Sequence, residues 1–167
     1  SHPLRPMGDD HHSYYLPFAT SLRMGDLGYT SQAQSELEVC YNDLDQYIST
    51  LRNAILRTHP PYATFDHMDN GEQAQLNTSL LQIENEYYSP IRPKRVTSSG
   101  EAPILALTRG GIEYVEVRCI DINPFLPFGI DGDTMRLLDL FLLSCLADTS
   151  PACDEAGQRR NKTNLQR

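Results

Sequence analysis

A chain of 167 residues carrying 22 acidic against 14 basic side chains, a formal charge of −8, has room for one domain with a real core and not comfortably for two. That balance excludes a general affinity for nucleic-acid backbone, which needs a basic face. The composition also excludes a membrane span, since the longest apolar run, Leu137 to Ala147, is short and broken by Asp139 and Ser144; Cys40, Cys119, Cys145 and Cys153 contain no Cys-x-x-Cys pair, which suits reduced packing thiols in the cytoplasm better than a disulfide framework or a zinc site.

Residues 1–13 read as a flexible, polar leader with no initiator Met and no continuous apolar signal segment, and its His11-His12 is either solvated or a metal pair. Tyr14 to Arg23, broken by Pro17, is strand-like only in pieces, and Gly25 to Tyr29 is a turn. Asn42 or Asp43 caps a helix that carries Leu44, Tyr47, Ile48, Leu51 and Ile55 on one stripe through Arg57, and His59-Pro60-Pro61 stops it. Asp69-Asn70-Gly71 is suited to closing a hairpin.

Gln75 to Tyr88 reads as a long strand, with Leu80, Gln82, Glu84, Glu86 and Tyr88 on one face. Ser89 to Arg95 follows as a proline-stiffened basic loop, and Glu101 to Arg109 as a short helix with Pro103 in its first turn and Gly110-Gly111 at its end. After a second strand, Phe125 to Gly129 forms a rigid loop. Asp131 or Asp133 then caps a helix whose Met135, Leu138, Leu142 and Leu146 are helically spaced. That helix is apolar nearly all round, so it is expected either in a core or against parts of the protein absent from this chain. Residues 152–167 form a basic tail that reads as truncated. The pattern is α+β.

The segment Ile-Glu-Tyr-Val-Glu-Val-Arg-Cys-Ile-Asp-Ile-Asn-Pro, residues 112–124, carries the most chemistry. Residues two apart on a strand share a face, which puts Ile112, Tyr114, Glu116 and Arg118 in one row. A carboxylate there is able to hold a divalent cation and a guanidinium to meet a phosphate or carboxylate; the alternative is an intrastrand ion pair.

Several ordered blocks between about Tyr14 and Pro151 resemble the proteobacterial glutamate–cysteine ligase family. They are Leu-Pro-Phe-Ala-Thr-Ser-Leu-Arg, Asp-Leu-Gly-Tyr, Leu-Gln-Ile-Glu-Asn-Glu-Tyr-Tyr, Pro-Ile-Arg-Pro-Lys-Arg-Val-Thr, Arg-Gly-Gly-Ile-Glu-Tyr-Val-Glu-Val-Arg and Asp-Ile-Asn-Pro-Phe. The resemblance implies a partial glutamine-synthetase-like catalytic fold, with antiparallel strands forming a curved active-site sheet and helices packed on it. Residues 14–151 would then be the central part of that catalytic domain.

The implied reaction is ATP-dependent joining of the L-glutamate γ-carboxylate to L-cysteine through a γ-glutamyl phosphate, the first step of glutathione synthesis, assisted by Mg²⁺ or Mn²⁺. By the same resemblance, Glu116 is a metal ligand and Arg118 contacts the phosphate in transfer. Arg23, Tyr29 and Tyr88 line the cysteine pocket; on their residues alone, Arg23 pairs equally well with Asp26, and both tyrosines with packing roles. Arg92, Lys94 and Arg95 either meet nucleotide phosphates or form a solvated loop. The family's upstream Glu-x-Glu block and metal-binding histidine have no counterpart here, and the family continues beyond Arg167. The expectation is therefore a segment with little or no activity alone, whose missing partners are the amino- and carboxy-terminal parts of the same enzyme. The competing reading is a non-catalytic binding module derived from that fold.

Overall fold

The computed structural model describes residues 4–17, 21–24, 28, 31–64, 68–69, 72–73, 75–152 and 154–165. In chain order the elements are β1 (Arg5–Met7), β2 (Asp10–Tyr15), α1 (Leu44–Leu56), α2 (Pro60–Ala63), β3 (Met68–Asp69), β4 (Glu72–Gln73), β5 (Ile91–Lys94), α3 (Pro103–Gly110), β6 (Tyr114–Val117), α4 (Gly132–Ala147) and α5 (Glu155–Leu165). Single 3₁₀ turns occupy Ala33–Glu36 and Glu84–Glu86. The strands pair as three separate antiparallel two-stranded sheets, β1-β2, β3-β4 and β5-β6, so the architecture is α+β. No helix among the described residues is long and apolar enough to cross a membrane.

The chain divides into two compact units, one of residues 1–28 and 119–167, the other of residues 29–118. The second unit holds the buried core. Helix α1 begins where Asp43 accepts a hydrogen bond from the Gln46 amide at 2.8 Å, satisfying one of the donors that a helix start leaves unpaired. Its Tyr47, Ile48, Leu51 and Ala54 are buried and pack with Leu80, Leu81, Ala33, Ile104 and Leu107. Burial pushes the Tyr47 phenol up to about 12. Helix α3 keeps the Pro-first, Gly-last order: Pro103 opens it, and Gly111, at φ 71°, closes it with its amide on the Leu107 carbonyl.

The long strand expected over Gln75 to Tyr88 does not form. Its polar side chains take the backbone groups that a ladder would need: Leu76 donates to Gln82 Oε1, Ser79 to Asn77 Oδ1, and Gln82 to the Glu86 carboxylate at 2.6 Å. The Leu80 and Leu81 amides instead donate to the Arg57 and Ala54 carbonyls at the end of α1, which fixes both leucines in the core and removes the alternation assigned to Glu84, Glu86 and Tyr88. The strand lies one segment later, in the stretch expected as a basic loop. Pro93 is tolerated in β5 because a two-stranded sheet has only edge strands, where a missing N–H breaks no second ladder.

In the first unit, residues 5–15, expected as leader and broken strand, form a hairpin through Gly8 at φ 63° with a register shift between Pro6 and Met7. Asp131 caps α4 by accepting from Thr134 N at 2.7 Å. No residue of α4 is buried, which removes the core alternative for this apolar helix. The tail is helical as α5. Cys119 and Cys145 are free thiols, whereas Cys40 is disulfide-bonded and not the reduced residue expected; Cys153 lies outside the described residues.

Candidate functional site

The β5-β6 ladder sets Arg92 opposite Glu116 and Lys94 opposite Tyr114, with Ile91–Val117 and Pro93–Val115 as the intervening pairs. Alternation therefore separates an ionic face from an apolar one. The expected row extends through Arg118, whose amide donates to the Pro90 carbonyl at 2.8 Å and continues the pairing past Val117. It fails at Ile112, which precedes the strand and joins Pro93, Val115, Tyr41, Leu44 and Tyr47 around an apolar hollow on the other side.

On the ionic face, Glu116 Oε2 stands 3.7 Å from Lys94 Nζ and Oε1 stands 3.9 Å from Arg118 Nε, with the glutamate side chain 42% exposed. These separations give charge attraction without directed hydrogen bonds, so the carboxylate keeps open lone pairs. Arg118 is only 19% exposed; its buried Nε makes no hydrogen bond, and its guanidinium carbon lies 4.9 Å from the Tyr88 ring centroid, within cation–π range. The structure thus brings Glu116, Arg118, Lys94 and Tyr88 together.

The neighbouring arginines are turned elsewhere. Arg92, 9% exposed, donates to the carbonyls of Asn85, at 3.0 Å, and Tyr87. Burial lowers its pKa, the Arg118 charge adds to that, and Glu116 opposes both. Arg95 donates to the Gly111 carbonyl at 3.1 Å, at the end of α3. Of the three cations considered for phosphate, Lys94 forms an ion pair with Glu116 at 3.7 Å.

Arg23 belongs to the other unit, and Tyr29 lies outside the described residues. The backbone around Arg23 is held by Asp121, a residue the sequence reading passed over. Its Oδ2 accepts from Leu22 N at 2.6 Å, and its Oδ1 from Arg23 N and Ser21 Oγ, both at 3.0 Å. Burial is the largest single effect and pushes this carboxyl upward, but the amide and hydroxyl donors together outweigh it and hold the pKa below the ordinary value. The only sequence signal was a carboxylate within Asp-Ile-Asn-Pro, which does not reveal partners about a hundred residues away. His11 and His12 are consecutive in β2, so they point to opposite faces.

Among the described residues, no three His, Cys, Asp or Glu side chains gather as a metal cage. Glu116 fits a hard divalent ion as one exposed oxygen donor, and the other ligands would have to come from elsewhere.

Residues 3–167 match the family model described as glutamate-cysteine ligase. The chain is 60% identical over 142 residues to the glutamate–cysteine ligase of Pseudomonas aeruginosa strain LESB58, covering 85% of this chain and 27% of that protein. It is 52% identical over 166 residues to that of Janthinobacterium sp. strain Marseille, covering 99% and 31%. The crystal structure of the Francisella tularensis glutamate–cysteine ligase in complex with AMP superposes with a TM-score of 0.83 at 41% identity, over 91% of this chain and 30% of that one. The chain spans less than a third of the length of these relatives. With the family model matched over nearly every residue, the chain belongs to the glutamate–cysteine ligase family.

Proposed function

We propose that residues 14–151 are the central part of the catalytic domain of a cytoplasmic ligase that joins the γ-carboxylate of L-glutamate to the amine of L-cysteine. The observation that carries this reading is the ionic face of β5-β6, where Glu116 keeps open lone pairs between Lys94 and Arg118 while Arg118 lies over Tyr88. An oxygen of the glutamate γ-carboxylate takes the terminal phosphoryl group of ATP, and ADP leaves. The cysteine amine then attacks the acyl carbon, and inorganic phosphate departs with the C–O bonding pair as the amide forms.

Arg118 is assigned to the transferring phosphoryl group, because a guanidinium offers several donors to oxygens on which charge accumulates. Glu116 is assigned as one ligand of Mg²⁺ or Mn²⁺, an ion that would neutralise charge between nucleotide and glutamate. The phenol of Tyr88, with Arg23 and Tyr29, would donate to the cysteine carboxylate. Lys94 remains a candidate for a nucleotide phosphate, and the AMP bound in the Francisella relative supports adenine nucleotide use. Arg92 and Arg95 retain only an indirect part in this reading, since both guanidinium groups donate to backbone carbonyls. The ladder would form one part of a curved, glutamine-synthetase-like sheet.

A single metal carboxylate does not assemble the ions this chemistry uses, so these 167 residues alone should turn over little or not at all. Phosphate release with glutamate, cysteine, ATP and Mg²⁺ tests this. A full-length ligase carrying the segment should release phosphate in a glutamate-dependent manner. Robust turnover by the isolated chain would overturn the segment reading, and no glutamate-dependent release by the full-length protein would overturn the ligase reading.

A further inference from the structure

Tyr88 lies outside every helix and strand, immediately after the Glu84–Glu86 turn and its Tyr87 cap. Two buried side chains engage the backbone of this stretch. Gln34, 8% exposed, donates through Nε2 to the Glu86 carbonyl at 2.9 Å and accepts through Oε1 from the Tyr88 amide at 2.9 Å. Its carboxamide thus engages two alternate residues much as a neighbouring strand would, one carbonyl and one N–H. The amide is oriented by these partners, since a flipped group would set donor against donor and acceptor against acceptor. Arg92 takes the carbonyls of Asn85 and Tyr87, so side chains hold the peptide groups from residue 85 to 88. Gln34 is itself anchored in the Ala33–Glu36 turn, its amide on the Ser31 carbonyl at 3.1 Å and its carbonyl accepting from Leu37 at 3.0 Å.

We infer that Gln34 is a positioning residue of the ligase site: its buried amide sets the backbone of Glu86 to Tyr88 and thereby where the Tyr88 ring lies against Arg118. The inference rests on the reading of Tyr88 as a cysteine contact. A phenol in that role must stand within hydrogen-bond reach of a carboxylate, and a shift of about 1 Å is enough to lose such a bond. Gln34 touches no reactant in this scheme; it acts through Tyr88 alone.

The test uses a full-length ligase carrying this sequence and three variants. Tyr88→Phe removes the phenol. Gln34→Met keeps approximate shape and loses both hydrogen bonds. Gln34→Glu keeps an acceptor and regains a donor only when its carboxyl is protonated. Gln34→Met should raise the KM for cysteine about tenfold while changing kcat and the KM for ATP by about twofold or less. With Gln34→Glu, the cysteine KM relative to wild type should fall toward one as pH is lowered from about 9 to about 6, since burial raises carboxyl pKa values into that range; the Gln34→Met ratio should stay flat.

A raised cysteine KM in Tyr88→Phe without one in Gln34→Met would overturn the positioning role. So would an equal loss in kcat and in both KM values, which marks general loosening. If Tyr88→Phe leaves the cysteine KM unchanged, the substrate reading of Tyr88 fails, and the inference fails with it. Should Gln34→Met not fold, a pH-independent ratio in Gln34→Glu overturns the inference and a pH-dependent one supports it.

Discussion

The guanidinium carbon of Arg118 stands 4.9 Å from the ring centroid of Tyr88, while its Nε stands 3.9 Å from a Glu116 carboxylate oxygen. One side chain therefore links the aromatic residue assigned to cysteine with the carboxylate assigned to metal. The ring shields the guanidinium from water without using its N–H donors, which leaves donors available to an incoming anion.

The first prediction concerns that residue. In a full-length ligase carrying this sequence, Arg118→Ala should lower kcat roughly 100-fold or more while changing the KM for ATP far less, as expected for a group that acts on charge developing in the transition state. Arg118→Lys should recover only part of the loss, because an ammonium keeps the charge without the planar fork. Steady-state kinetics with ATP varied at saturating glutamate and cysteine measures both. An equal change in KM for ATP and in kcat would place Arg118 in nucleotide binding instead.

Glu116→Gln should shift the Mg²⁺ concentration for half-maximal rate upward by about tenfold or more, since the amide keeps shape and loses the charge that draws a hard cation. The same substitution also frees Lys94 and Arg118 from their ion pairs at 3.7 and 3.9 Å. Those pairs are long and partly solvated, and losing them should cost under about 1 kcal/mol of stability. Metal titration of activity, read beside a thermal melt, separates the two effects. A lowered melting temperature with an unchanged Mg²⁺ requirement would return Glu116 to the role of an ion-pair partner.

Local signals made part of this site legible in advance. The caps Asp43 and Asp131, the Pro103 and Gly111 ends of α3, and the face shared by Glu116 and Arg118 each depend on a few adjacent residues. What could not be read depends on distant partners. The run from Gln75 to Tyr88 has strand-like alternation, but Leu80 and Leu81 bond to the end of α1, and Gln82 and Glu86 close on each other; that tertiary demand outweighs a two-residue period. Arg92 looked like a loop cation because Pro90 and Pro93 flank it. A neighbouring strand and two carbonyls instead draw it inward. Gln34 lay in no motif, and Asp121 in one that named no partner, since their partners lie 52 to 54 and 98 to 100 residues away.

The core of the second unit yields a stability prediction. Leu81 is fully buried against the core, whereas Leu137 on α4 is 67% exposed. Leu81→Ala should cost about 3 kcal/mol, combining lost transfer energy with the cavity left behind. Leu137→Ala in the same chain should stay within about 0.5 kcal/mol. Urea unfolding of the chain measures both differences. A comparable loss from Leu137→Ala would mean that α4 buries this residue in solution.

The final prediction concerns acid. Asp121 has a lowered pKa because burial, the largest single effect and an upward one, is outweighed by the Leu22 and Arg23 amides and the Ser21 hydroxyl together, which favour its carboxylate form. A group depressed in the folded state contributes stability that is present above its unfolded value and is lost as pH falls through the folded one. The contribution should therefore be intact above the ordinary 3.8 and disappear below it. Asp121→Asn, whose Nδ2 would face donors at 2.6 to 3.0 Å, should destabilise the segment around Arg23 at neutral pH. The gap between wild type and variant should close as pH drops below 3.8. Carboxyl NMR of Asp121 gives the direct measurement: a midpoint under 3.8 is expected, and one at or above that value would show that these three donors do not hold the carboxylate in solution.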